Sequence, residues 1–173
     1  MSKTYVIDID GTICDWEPGR DYTLANPFPE RIKVINKLYD KGFLTVKKIQ
    51  ELVDWFEGPV FIDSKKTKLP KTGCFLKINE LESKLLKGRY KNLIITKGAG
   101  GADYDGVNYP GEKTKIVDVV GAGDTFLSAL VYFHLFYGRI EEAIPYANKA
   151  AAIAVQNFGT YVLTEEDVKD LRG

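Results

Sequence analysis

The 173 residues carry 24 Lys and Arg against 24 Asp and Glu with one His, so no basic excess points to nucleic acid or an anionic membrane. Hydrophobic residues make up 45%, which excludes disorder, collagen and coiled coil, and a chain of this length buries roughly 68–70% of its unfolded surface in one core. Cys14 and Cys74 have neither metal-ligand spacing nor a disulfide framework, so reduced thiols in a cytoplasmic protein are expected. The opening MSKTYVIDIDG sets aspartates into its only apolar run, unlike a signal peptide. The apolar stretch around 126–137 is too short to span a bilayer.

Residues 4–9 (TYVIDI), β-branched and stopped by Asp10-Gly11, predict a buried strand. Residues 15–26 are polar with Pro18 and Gly19, and read as loop. In 29–41, Ile32, Ile35, Leu38 and Tyr39 take helical spacing between Pro29 and Gly42. Val46, Ile49, Leu52, Val53 and Phe56 form a second stripe, ended by Gly58-Pro59. Strands follow at 60–62, 75–78 and 92–96, with a helix at 80–87. Asp105-Gly106 between ADY and VNY signals a hairpin. Residues 116–120 read as a strand emptying into Gly121-Ala122-Gly123, then 123–137 as a helix apolar almost all round and so buried. The helix at 140–157 should break or restart at Pro145, and a last helix at 165–171 is capped by Thr164. Strands alternating with helices predict a three-layer α/β/α fold on a mostly parallel sheet, with ligands at the carboxyl ends of its strands.

The sharpest such place is Asp118-Val119-Val120-Gly121-Ala122-Gly123-Asp124-Thr125-Phe126. Tiny residues let a ligand oxygen approach the backbone, and the first N–H groups of the helix form an anion hole. Asp124 beside it either caps the helix or takes a proton from a hydroxyl attacking a phosphoryl group.

DVVGAGDTF resembles the second signature of the PfkB (ribokinase-like) carbohydrate kinases. Asn79-Glu80-Leu81-Glu82 is similar to that family's N-x-x-E motif, and Thr96-Lys97-Gly98-Ala99-Gly100-Gly101 to its nucleotide-phosphate loop. Ala147-Asn148-Lys149 with Phe158-Gly159-Thr160 resembles the helix and loop flanking its adenine pocket. Residues 40–45 and 61–65 are most like the branch that phosphorylates heptose phosphates. The resemblance implies a ribokinase-like (Rossmann-like) fold, truncated, over 43–173. It implies ATP and Mg2+ as cofactors, Asp124 as general base, and Gly121, Ala122 and Gly123 as the anion hole. Thr96, Lys97, Gly98, Gly100, Asn148 and Gly159 would bind nucleotide. Asn79 and Glu82 would act on Mg2+, and Asp118 on a monovalent cation such as K+. Each has a plainer alternative: Asn79 and Glu82 as a helix cap, 96–101 as a tight turn, Asp118 as a solvated strand end, and Asn148 as a prop for a neighbouring loop.

Residues 5–12 (YVIDIDGT), by contrast, resemble motif I of the haloacid dehalogenase (HAD) phosphatases, and the likeness continues through 29–42. Asp8 and Asp10 lie two apart on a strand and share one face, a repulsive pairing that a cation such as Mg2+ would relieve. The later HAD motifs are not recognisable, and about 40 residues cannot build that domain alone. The reading is therefore a fusion, natural or engineered: a HAD-like strand, loop and helix over 1–42, joined to the PfkB-like part as one composite domain. Asp8 and Asp10 become a relic on a strand completing the sheet. Gly106 to Thr114 imitates a P-loop with one residue too many before Lys113, and His134 reads as a core residue. Three functions follow: a sugar kinase, a phosphatase using Asp8, or a nucleotide-binding protein without turnover. Partners would be a nucleotide and a sugar, with no nucleic acid or membrane, and an exposed sheet edge would favour a homodimer.

Overall fold

The computed structural model describes residues 4–8, 13–16, 45–65 and 67–173. Its chain divides into two units, Met1–Ile94 and Ile95–Gly173.

In the first unit, β1 (Thr4–Asp8) turns back antiparallel onto β2 (Ile13–Trp16). On its other side β1 runs parallel to β3 (Val60–Asp63), which is parallel to β4 (Phe75–Asn79). The order is β2-β1-β3-β4-β5, and β5 (Leu93–Thr96) crosses the boundary between the units. Val60, Phe61, Ile62, Leu76, Ile78 and Ile94 are buried, as β-branched and apolar side chains are on an interior strand. Helix α1 (Val46–Trp55) starts at Thr45, whose hydroxyl accepts the Lys48 N–H at 3.3 Å. It turns Ile49 and Val53 inward. Helix α2 (Glu80–Leu85) follows β4 directly.

Three expectations need correction here. Asp15 and Trp16 belong to β2 rather than to a loop, because the ladder to Tyr5 and Thr4 supplies partners that local polarity does not reveal. The stripe on α1 is narrower than its spacing suggests: Leu52 is exposed, and only Ile49 and Val53 are buried. The helix expected at 80–87 stops at Leu85. The helix expected at 29–41 and Asp10 lie outside the described residues.

In the second unit, a 3-10 turn (Gly98–Gly100) leads into β6 (Ala102–Tyr104) and β7 (Val107–Tyr109). Asp105 and Gly106 both have positive φ, 45° and 87°, the requirement of a two-residue hairpin turn. Helix α3 (Ala122–Tyr137) stops at Gly138 in the left-handed region, whose N–H reaches the His134 carbonyl at 2.7 Å. Helix α4 (Ile140–Ala154) packs along α3 through Leu130, Ile144, Ala147 and Ala150, with Phe133 stacked on Tyr146 at 4.4 Å. Helix α5 (Glu165–Arg172) carries a reciprocal cap between Thr164 and Asp167.

Residues 116–120 form no strand. Ile116, Val117, Val119 and Val120 are exposed, and the N–H groups of Val117 and Asp118 both go to the Val155 carbonyl, at 2.7 and 3.2 Å. A β-branched run without a neighbouring strand takes its backbone partners elsewhere. Helix α3 buries six residues but leaves Phe136 exposed, so its apolar surface is not wholly interior. Helix α4 runs unbroken through Pro145. The proline sits on the exposed side, and the Glu141 carbonyl it leaves without an N–H belongs to an exposed residue that water can reach. Among the described residues no helix is long and apolar enough to cross a membrane.

Replacing Pro145 with Ala should restore that helical bond and stabilise the protein by up to about 3 kcal/mol. Urea unfolding followed by circular dichroism measures it; an unchanged or lower midpoint would contradict this account of α4.

Candidate active site

A helix exposes its first N–H groups unless something caps them. Gly121 precedes α3 in the left-handed region at φ 76°, and no side chain caps this end. The Ala122 N–H turns back to the Val119 carbonyl at 3.3 Å, and the Thr125 N–H makes the first helical bond, to Gly121, at 2.9 Å. The amides of Gly123 and Asp124 thus open the helix, beside the positive end of its dipole. Of the three residues expected to form the anion hole, Ala122 already spends its amide. Asp124 sits exposed in the first turn.

The chain reaches this opening through Asp118. One carboxylate oxygen accepts the Val120 N–H at 3.1 Å and the other the Gly159 N–H at 3.0 Å. These backbone donors hold its carboxyl below the usual carboxylate range. Asp118 therefore ties the strandless lead-in to the 158–160 loop, and a monovalent cation there would share its oxygens with two N–H donors. A Cβ on Gly121 would meet the Thr160 methyl at 3.1 Å, so this loop packs on the turn itself. The lip is apolar: Val119, Val120 and Val162 are exposed, and Phe158 is 89% exposed.

A second knot forms around the loop after β5. The Lys97 N–H bonds the Gly101 carbonyl at 2.8 Å, and the Gly100 N–H bonds the Lys97 carbonyl at 3.1 Å. The Lys97 ammonium donates to Asp103 at 2.7 Å and to Asn108 at 2.6 Å. Gly101 is irreplaceable by sterics, since a Cβ there would lie 2.2 Å from the Tyr109 carbonyl oxygen. Asn148, buried on α4, donates to the carbonyls of Tyr109 and Pro110 at 3.0 and 3.1 Å. Its amide props the hairpin's end. Thr96 lies at the end of β5, and Gly98 and Gly100 stand exposed in the 3-10 turn.

Asn79 and Glu82 belong to the first unit, where they cap α2 reciprocally. The Glu82 N–H bonds the Asn79 side chain, and the Asn79 N–H bonds Glu82 Oε2, both at 2.8 Å. No group of three or more His, Cys, Asp or Glu among the described residues could hold a metal ion. Mg2+ does not need one: it keeps several waters and takes one or two carboxylates plus phosphate oxygens. The second oxygen of Glu82 and the Asn79 amide fit that modest role. The Asp8 backbone stands opposite Asp63 at the carboxyl ends of β1 and β3.

Sequence reasoning missed two charged pairings. Lys77, interior to β4, is buried and paired with Asp63 at the end of β3. Asp103 and Asn108 hold Lys97, and the signal for them was present: a two-residue turn at Asp105-Gly106 makes them cross-strand partners. His134 is half-buried, and burial pushes its pKa down.

The model for the pfkB family of carbohydrate kinases matches residues 67–167. The bifunctional protein HldE of Nitratiruptor sp. is 30% identical over 85% of this chain and 38% of its own length. Mouse ribokinase is 36% identical over 46% of this chain and 26% of its own. Among solved structures, Thermotoga maritima ribokinase matches at TM-score 0.55 and 24% identity, over 73% of this chain and 53% of that one. Aminoimidazole riboside kinase of Salmonella enterica, complexed with its riboside and an ATP analogue, matches at TM-score 0.59 and 20% identity, over 72% and 55%. The fold is α/β and ribokinase-like, and the chain spans 38% or less of these two curated relatives' lengths.

Since the folded protein holds the Asp118 carboxylate below its unfolded value, the contribution of this clamp is present above the usual carboxylate range. It is lost as pH falls through the folded pKa. Asp118→Asn should flatten the stability-versus-pH curve at its acid end, as read by urea midpoints between pH 5 and pH 2, on the order of the carboxylate range. Overlapping curves would contradict the clamp.

Proposed function

The chain belongs to the pfkB family of carbohydrate kinases, and from that premise we propose that it carries the nucleotide-binding portion of an ATP- and Mg2+-dependent kinase. The acceptor would be a hydroxyl of a sugar or sugar phosphate, of the heptose phosphate type. The observation that supports this best is the uncapped opening of α3, with Gly123 and Asp124 amides beside an exposed carboxylate.

The chemistry follows from that corner. Donor phosphate oxygens rest against the Gly123 and Asp124 amides, where the helix dipole favours negative charge. Asp124 accepts the proton of the acceptor hydroxyl as its oxygen bonds to the γ-phosphorus, and the bridging oxygen leaves with ADP. Within the first unit, Glu82 and Asn79 would be the residues to meet Mg2+ through its waters, and the ion would supply charge neutralisation. Gly98, Gly100 and Thr96 offer a second phosphate-facing loop. The apolar lip of Phe158, Val119 and Val120 suits the flat face of a base. Asp118 and Gly159 keep that lip in place rather than touching the nucleotide.

Calorimetric titration with ATP and Mg2+, beside an assay of ATP-dependent phosphorylation of heptose phosphates and ribose, tests this. Asp124→Ala should keep nucleotide affinity within about threefold while lowering turnover by about 10²–10⁴. An unchanged rate in Asp124→Ala would overturn the assignment of the base. Phosphate release from p-nitrophenyl phosphate that disappears in Asp8→Asn would support a HAD-type phosphatase instead. Nucleotide binding with no turnover on any acceptor would support a binding protein.

A further inference from the structure

The loop between β5 and β6 carries a lysine, and a lysine in a phosphate loop invites the assumption that its ammonium meets the phosphate. The contacts of Lys97 point elsewhere. An ammonium has three N–H donors, and two are committed, to Asp103 Oδ1 at 2.7 Å and Asn108 Oδ1 at 2.6 Å. Those acceptors face each other across the hairpin as register partners, so Lys97 closes over one rung of it. The side chain's first carbon lies against Gly100, where a Cβ would come to 3.4 Å from it. The same residue closes the loop through its peptide groups, donating to Gly101 and accepting from Gly100.

From the other side the loop meets Tyr109 and Gly111, which leave no room for a Cβ on Gly101. Asn148 in turn pins Tyr109 and Pro110 to α4. The turn is thus bracketed by the hairpin at both ends, while the amides of Gly98 and Ala99 bond no group among the described residues and both residues are exposed. For Lys97 to swing to a phosphate it would have to bare the Asp103 carboxylate beside an anionic ligand, a like-charge contact.

We propose that Lys97 is a positioning residue, clamped by the Asp103–Asn108 rung so that the backbone amides of Gly98 and Ala99, and not its ammonium, receive the donor phosphates. This rests on the nucleotide-binding reading above. Asp103 and Asn108 are positioning residues through Lys97.

A double-mutant cycle on the full chain tests it, with Lys97→Met, Asp103→Ala and the pair, each titrated with ATP and Mg2+ by calorimetry. Each single variant should weaken ATP binding on the order of tenfold, and the pair should be no weaker than either alone. Lys97→Arg, which can still reach both acceptors, should recover most of the affinity. Urea midpoints should move little, since a partly exposed ion pair contributes little to stability. The positioning role is overturned if Lys97→Met loses affinity while Asp103→Ala binds as well as or better than the parent, the signature of direct phosphate contact. It is overturned equally if Lys97→Met binds ATP like the parent. A parent protein with no ATP affinity at millimolar concentration fails the nucleotide-binding reading itself, and this inference falls with it.

Discussion

The account depends on a constraint of helix geometry: the first amides of α3 must find partners outside the helix, and here no side chain provides one. What keeps the opening in shape is not on the helix. Asp118 spans two backbone N–H groups, at Val120 and Gly159, and the Thr160 methyl closes on Gly121. A carboxylate accepting backbone hydrogen bonds is strong and directional, so the chain before the helix and the loop after α4 hold each other. Without it, residues 116–120, which have no strand ladder, would keep only the backbone bonds of Val117 and Asp118 to Val155.

Much of this was legible in residue order. Gly121-Ala122-Gly123 before an apolar helical run marks the start of α3, and Asp105-Gly106 marks the hairpin. Long-range partners are where local reading failed. Ile116 to Val120 has strand composition, yet the Val117 and Asp118 amides go to Val155, far along the chain. Asp15 and Trp16 look like loop, yet they pair with β1. Pro145 looked like a break because propensity treats every interior position alike, whereas an exposed carbonyl makes the lost bond tolerable. The roles of Asp118 and Asn148 were left open between ligand and prop, and their observed bonds are to backbone.

The described residues group the chemistry into two connected knots in the second unit and a separate cap, Asn79 with Glu82, in the first. Both knots share a design: a side chain fixes a glycine-bearing turn so that backbone amides, rather than flexible charges, face outward. Asp118 does this for the start of α3, and Lys97 for the loop after β5. Such preorganised donors cost no rearrangement when charge develops on a phosphoryl group. The same logic accounts for glycines at 101 and 121, where a Cβ would strike the Tyr109 carbonyl oxygen or crowd the Thr160 methyl at positive φ.

The most direct test is nuclear magnetic resonance of the 15N-labelled chain, watching the Gly123 and Asp124 amides while ATP with Mg2+ is added. The account predicts large, saturable shifts at these two amides that plateau together. Ligand binding seen at other residues while both of these signals stay in place would contradict it.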